Sequence, residues 1–167
     1  TMADSSRAHL TRIQWLWAAF VCVLAVAADQ ATKLWARSAL GDTAPRPLVG
    51  DWLSLRLVHN SGAAFSLGAD RTWVLTIITV VIIALLVALL TRIRRFSALL
   101  AIALLMGGAW GNLIDRLTAQ PGFGVGHVTD FIAYGNAFVG NVADIWIVVG
   151  AAWLVFALSR EGTKEQQ

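Results

Sequence analysis

Two aspartates in the last third of the chain, Asp130 and Asp144, are the residues best suited to do chemistry. Asp144 stands inside a long apolar run, NAFVGNVADIWIVVGAAWLVF, and neither aspartate has a basic partner in its own segment. Two carboxylates held close together cannot both ionise, so one keeps a proton while the other is charged. Such a pair can activate water and protonate a reacting carbonyl or a leaving amine, as in an aspartic protease. From spacing alone, solvation of Asp130 in a loop stays open as the alternative.

Other polar side chains lie at i,i+3 or i,i+4 spacing near the ends of apolar segments, which places each set on one helix face. The sets are Asp29 with Lys33, Asn112 with Asp115 and Arg116, and Asn141 with Asp144. A charge at the bilayer centre costs on the order of 3 kcal/mol, so several at one depth indicate a shared polar site. Structural ion pairs, Asp29 with Lys33 and Asp115 with Arg116, are the alternative explanation.

Other chemistries have less support. The three histidines form no metal-ligand spacing such as HExxH, no serine lies in a GxSxG motif, and the single cysteine, Cys22, excludes an internal disulfide. We therefore expect no metal and no organic cofactor. A proton or ion carrier could use membrane carboxylates and is kept as the alternative function, although the polar residues stop at one end of the apolar segments.

The composition predicts that a membrane protein carries these residues. Hydrophobic residues make up 57% and charged residues 14% of the 167-residue chain, and the mean hydropathy is +0.67, well above the balance of soluble domains. The net charge of +3 is too small to indicate nucleic-acid binding and suits a membrane surface. The length accommodates a single integral membrane domain, residues 1–167, with a few spans.

Four segments are long and apolar enough to cross a bilayer, at about 13–35, 73–91, 97–117 and 139–159. The first could also be a cleaved signal peptide, because AVAAD follows its apolar core, but the apolar continuation to Trp35 favours a retained span. Short basic segments such as TRIRR indicate that both termini are cytoplasmic. The outer loops are then about 36–72 and 118–138, and the polar residues lie at the outer ends of the helices.

Two further patterns concern how the helices are packed and connected. In the first outer loop, WLSLRLV alternates apolar and polar residues with the period of a strand, so we predict a small sheet on the membrane surface that includes about 52–58. The glycines of MGGAWGN, with Gly107 and Gly111 at small-xxx-small spacing, are typical of closely packed membrane helices.

Five motifs occur in the order and topology of the lipoprotein signal peptidases, or signal peptidase II, and the chain resembles this family over all four spans and both outer loops. The motifs are DQATK (29–33), NSGAAFS (60–66), GGAWGNLIDR (107–116), HVTDF (127–131) and NVADI (141–145). The resemblance implies an all-α membrane protein with four transmembrane helices and a small extracytoplasmic β-cradle. It also implies an aspartic endopeptidase of the bacterial cytoplasmic (inner) membrane, active near the outer leaflet. Such enzymes cut prolipoproteins just before a cysteine that carries a diacylglyceryl group.

Carried over by motif, the resemblance assigns the catalytic dyad to Asp130 and Asp144, while Asp29 and Lys33 match a supporting pair. The positions that it implies for shaping the site and holding substrate are Asn60, Gly62, Ala64, Gly108, Asn112, Asp115, Arg116 and Asn141. The expected partners are the prolipoprotein and membrane lipids, with no nucleic acid, and the protein is expected to act as a monomer. Departures from the family pattern at Thr129, Gly140 and Ile145-Trp146 affect the expected shape of the pocket and leave the dyad untouched.

Overall fold

The computed structural model describes residues 9–41, 44–62 and 71–162, which form four long helices and one sheet. The helices are α1 (Arg12–Ala39), α2 (Thr72–Leu90), α3 (Phe96–Thr118) and α4 (Val142–Gly162). All four are long and apolar enough to cross a bilayer, so the four predicted spans are confirmed. The last helix begins at Val142 rather than at 139, because residues 138–140 form a strand.

Both loops at one end of the helix bundle contribute strands to the sheet. The strands are β1 (Arg46–Val49) and β2 (Leu53–Asn60) between α1 and α2, and β3 (Val128–Tyr134) and β4 (Phe138–Gly140) between α3 and α4. They pair antiparallel in the order β1-β2-β3-β4. The predicted strand at 52–58 is confirmed.

The alternative, solvation of Asp130 in a loop, is wrong, because Asp130 is buried within β3. The β3 sequence, VTDFIAY, is rich in the β-branched and aromatic residues that favour strands. A tight turn at 135–137 then joins β3 to β4, and Gly135 adopts the positive φ of 54° that such turns favour. Asp130 is therefore held by a strand ladder rather than by solvent.

Buried polar residues are distributed unevenly along the bundle, as predicted from the sequence. The buried polar residues of the described chain are at the sheet end: Asp29, Lys33, Thr72, Thr76, Asp115, Arg116, Thr129, Asp130 and Asn141. The opposite end is packed with apolar side chains, among them Leu86, Leu99 and Ile102. The bundle thus gathers its buried polar residues into one site at the end that carries the sheet.

The central helix is α3, which packs against each of the other three. Its glycines permit this: a Cβ added at Gly107 would lie 2.5 Å from Ala25 Cβ on α1, and one added at Gly108 would lie 2.5 Å from the Ala143 carbonyl oxygen on α4. The predicted packing role of the glycine motif is confirmed. Close approach of α1 and α4 to α3 is what brings their polar residues together.

Gly108→Ala is expected to destabilise the protein by about 1–3 kcal/mol, because the added methyl group would meet α4 backbone that cannot move without moving the helix. The thermal unfolding midpoint in detergent measures the effect. Gly122→Ala is the control, since a Cβ there would meet nothing within 4 Å. Equal midpoints for the two variants would contradict this account of the packing.

Candidate active site

Asp144 is positioned by the start of α4. The Asn141 side-chain oxygen accepts a hydrogen bond from the Asp144 N–H at 3.0 Å, and Asp144 Oδ2 accepts one from the Asn141 N–H at 3.0 Å. This reciprocal pair is a capping box built from Asn and Asp. The N-x-x-D spacing of NVAD is a signal for it that the sequence analysis did not use. Both the backbone and the carboxylate of Asp144 are fixed by local hydrogen bonds.

Asp130 is positioned by the sheet. In the β2–β3 pairing, Val58 is opposite Asp130 and Asn60 is opposite Val128, so Asn60 is a diagonal neighbour of Asp130. Asn60 Nδ2 donates to Asp130 Oδ2 at 2.8 Å. The Asn60 oxygen accepts from the Gly62 N–H at 2.7 Å, which orients the amide with its donor towards Asp130.

Two further amides connect the carboxylates. Asn141 Nδ2 donates to Asp130 Oδ1 at 2.6 Å and to Asn112 Oδ1 at 3.1 Å. Asn112 Nδ2 in turn donates to Asp144 Oδ1 at 2.9 Å. The structure therefore brings the two aspartates singled out in the sequence, one on a strand and one on a helix, into a single hydrogen-bond network.

Both carboxylates face one cavity of about 470 Å³. Its other polar lining residues include Asn60, Asn112 and Arg116, and its apolar walls include Leu75, Ile78 and Phe138. A second, apolar groove of about 270 Å³ runs along α4 and the β3–β4 hairpin, lined by Tyr134, Phe138, Asp144, Ile145, Val148 and Val149. Asp144 and Phe138 line both, so the carboxylate stands where the two spaces meet.

Burial raises the pKa of Asp130 to about 6, and the negative charge of Asp144 adds to the rise. Hydrogen bonds from Asn60 and Asn141 and the positive charge of Lys33 act in the opposite direction, because they favour the ionised form. The carboxyl of Asp130 thus holds its proton at a pH where an ordinary aspartate, with a pKa of about 3.9, is ionised.

Asn60→Ala is expected to move the alkaline decline of kcat/KM to higher pH. The sequence predicts that Asp130 and Asp144 act as an acid–base pair, which needs one proton, so the predicted activity should fall as the pH rises through the pKa of Asp130, about 6. Asn60 donates to the charged form, so removing it raises that pKa further. The pH profile of cleavage measures the shift, and a decline at unchanged or lower pH would contradict the role given to Asn60.

Arg116 enters the cavity from α3. Its side chain is 7% exposed, and its Nη1 has no hydrogen-bond partner among the described residues. The alternative explanation, an ion pair of Arg116 with Asp115, is wrong, because Asp115 pairs with Lys33 at 3.0 Å and with Arg37 at 3.5 Å. Nη1 is itself buried, and the charges of Asp130, Asp115 and Asp144 act on the guanidinium group.

The remaining predicted residues surround this centre. Asp29 and Lys33 form the expected pair at 2.8 Å, behind the site. Gly62 has a positive φ of 90°, and Gly108 packs against α4 at Ala143. Ala64 lies outside the described residues.

Two residues that contact this region were not identified from the sequence. Arg37 Nε and Nη2 donate to Thr129 Oγ1 at 2.9 and 2.7 Å. A signal was present for Arg37, which continues the i,i+4 series of Asp29 and Lys33 along one face of α1. Thr129 was noted only as a departure from the family pattern.

The sequence model of a protein family described as "Signal peptidase (SPase) II" matches residues 21–160. The chain belongs to the signal peptidase II family. Lipoprotein signal peptidases similar to it include that of Rhodococcus jostii, 41% identical over 144 residues that cover 84% of this chain and 73% of the relative. That of Pseudomonas putida is 37% identical over an alignment of 177 positions, which covers 98% of this chain and 97% of the relative.

The fold is also similar to that of a solved bacterial membrane enzyme. The TM-score is 0.72 at 26% sequence identity, and the match covers 90% of this chain and 95% of the solved one. A second structure of a bacterial membrane enzyme matches with a TM-score of 0.71, also at 26% identity, over 94% of this chain and 93% of that one. Signal peptidase II membership and these neighbours agree with a multi-pass bacterial membrane protein of four helices and a small sheet.

Proposed function

We propose that this protein removes signal peptides from diacylglyceryl-modified prolipoproteins, cleaving before the lipidated cysteine, with Asp130 and Asp144 as an aspartic dyad. Membership of the signal peptidase II family supports the peptidase activity. The comparisons offer nothing for the proton or ion carrier. The observation that carries the aspartic assignment is the network in which Asn112 and Asn141 hold both carboxylates at one cavity.

The surroundings of the two aspartates favour different roles. Asp130 is 2% exposed and has a raised pKa, so it holds the shared proton and acts as the acid. Asp144 lies in the first turn of α4, where the helix dipole favours negative charge, and acts as the base.

The reaction needs only water and the two carboxyl groups. Asp144 takes a proton from water while the water oxygen bonds to the scissile carbonyl carbon. At the same time Asp130 gives its own proton to the carbonyl oxygen. As the C–N bond breaks, Asp144 passes its proton to the leaving amine. The remaining hydroxyl returns a proton to Asp130, which restores the starting state.

Arg116 and the apolar walls are assigned to the substrate. The Arg116 side chain lines the cavity, and we assign its guanidinium group to a substrate carbonyl there. The apolar walls of the cavity and of the adjoining α4 groove suit an apolar signal helix and acyl chains. The substrate approaches laterally from the lipid and is bound by a monomer.

We place the sheet and the dyad at the outer face of the cytoplasmic membrane, with both termini inside. The support is the position of the basic residues: Arg12, Arg92, Arg94, Arg95 and Arg160 lie at the bundle end away from the sheet. A site at the interface has water for hydrolysis while acyl chains stay in the bilayer. The whole chain, residues 1–167, then works as one membrane domain.

The test is to incubate purified protein with a prolipoprotein in diacylglyceryl-modified and unmodified forms and to record intact masses. Cleavage of the modified form alone, leaving a product that begins with the lipidated cysteine, is expected. Absence of cleavage in either form would overturn the proposal, and equal cleavage of both forms would overturn the lipid specificity.

A further inference from the structure

Lys33 is a fully buried lysine at the centre of the polar end of the bundle. Its ammonium group lies 2.8 Å from Asp29 Oδ2, 3.0 Å from Asp115 Oδ2 and 3.0 Å from Asn112 Oδ1. A fourth, longer contact joins it to the Gly111 carbonyl oxygen at 3.4 Å, so every donor of the ammonium group has an acceptor.

The contact with Asn112 determines which way that amide points. Since Lys33 can only donate, the Asn112 oxygen must face it, and the amide nitrogen must then turn to the opposite side. On that side it donates to Asp144 Oδ1 at 2.9 Å. The same Asn112 oxygen accepts from Asn141 Nδ2, which also donates to Asp130. If the Asn112 amide were reversed, its oxygen would face the Asp144 carboxylate and its NH2 group would face the Lys33 ammonium. Both contacts would then be repulsive.

The contact with Asp115 leads to the other aspartate. Asp115 Oδ2 accepts from Lys33 and also from the Thr129 backbone N–H at 2.9 Å. Thr129 immediately precedes Asp130 in β3, so this bond fixes the strand against α3 beside the catalytic position. Lys33 thus reaches Asp144 through one partner and Asp130 through another.

We propose that Lys33 is a positioning residue for catalysis, which sets the geometry of Asp144 through Asn112 and of Asp130 through Asp115 and Thr129. The inference rests on the proposed dyad. Lys33 touches neither carboxylate of the dyad by a hydrogen bond, so its effect is on orientation and on the local electric field. Removing it should therefore change the turnover and the pH profile of a protein that is still folded.

The test compares two variants in the full chain. The first is a double variant, Asp29→Asn combined with Lys33→Met, which removes both charges of the pair together. An asparagine oxygen at 29 can still accept a hydrogen bond from the Ala143 N–H, as Asp29 does at 2.9 Å. Lys33→Gln keeps hydrogen-bond donors at the position without the charge. Thr32→Val is the control on the same turn, since the Thr32 hydroxyl bonds only to carbonyls of its own helix, Ala28 and Asp29.

The double variant should lower kcat by about 10- to 100-fold, as expected for slight misplacement of catalytic groups, and change KM by less than about threefold. Its alkaline decline of kcat/KM should move to higher pH, because Lys33 favours the ionised form of Asp130. The other charges that face Asp130, Asp144 from α4 and Arg116 from α3, are left in place. Lys33→Gln should show the same pH shift with a smaller loss of kcat.

Folding in detergent, checked by size exclusion and thermal unfolding, separates positioning from support of the fold. Wild-type kcat and pH profile in the folded double variant would overturn the proposal. So would failure of both Lys33 variants to fold, which would assign Lys33 to the structure alone. A different result would show that the proposed function is wrong: the wild-type protein would not cleave, or variants at Asp130 and Asp144 would remain active.

Discussion

Asp130→Asn and Asp144→Asn should each lower kcat for a lipidated prolipoprotein by about 10²–10⁴-fold, the size of effect that general acid–base catalysis supplies. The reason differs between the two. Asn at 144 cannot take a proton from water, and Asn at 130 cannot give one to the carbonyl oxygen. Because the groups act as a unit, the double variant should be no slower than the slower single variant.

The comparison needs evidence that the variants stay folded, and a matched substitution elsewhere. Asp51→Asn makes the same chemical change at an exposed aspartate in the turn between β1 and β2, and it should cleave at the wild-type rate. Near-normal turnover by a folded Asp130→Asn or Asp144→Asn variant would remove that residue from the catalytic pair.

Asn141 is the third position at which a large effect is expected. Its side chain caps α4 and also donates to Asp130 at 2.6 Å and to Asn112 at 3.1 Å. Asn141→Ala should lower kcat by about 100-fold through misplacement of the dyad. It should also cost about 1 kcal/mol of stability through loss of the cap.

Asn141→Ser separates the two contributions. Serine is a good cap residue, so the unfolding midpoint should stay near that of the wild type. Its hydroxyl is too short to replace the amide that reaches Asp130, so kcat should fall as far as in the alanine variant. Recovery of activity in step with stability would show that Asn141 acts through the helix cap alone.

The spans could be predicted from sequence because length and apolarity alone decide whether a helix crosses a bilayer. Strand β2 could be predicted too, since its alternation reflects one apolar face. Strand β3 was missed for a physical reason: its first four residues are all buried, so it has no alternation to detect. The only signals for β3 in the sequence were its β-branched and aromatic residues and the turn at Gly135.

Within the site, contacts between residues close together in the sequence could be predicted, whereas contacts between residues far apart in the sequence could not. Asn141 and Asp144 are a helical spacing apart, and so are Asp29 and Lys33. Lys33 and Asn112 are 79 residues apart, and only helix packing shows that they meet. The alternative pair of Asp115 with Arg116 is not formed, because adjacent residues on a helix do not face each other.

The central claim is that Asp130 and Asp144 interact as one proton-sharing pair. Its most direct test is a titration of the aspartate carboxyls, by carbon NMR of the labelled protein in detergent, in the wild type and in Asp144→Asn. We expect one carboxyl titrating at about pH 6 in the wild type, assigned to Asp130 by its loss in Asp130→Asn. In Asp144→Asn this midpoint should fall, because the charge that helps to raise the pKa of Asp130 is gone. A midpoint unchanged by Asp144→Asn, or an Asp130 that titrates like an ordinary carboxyl near about pH 4, would contradict the pair.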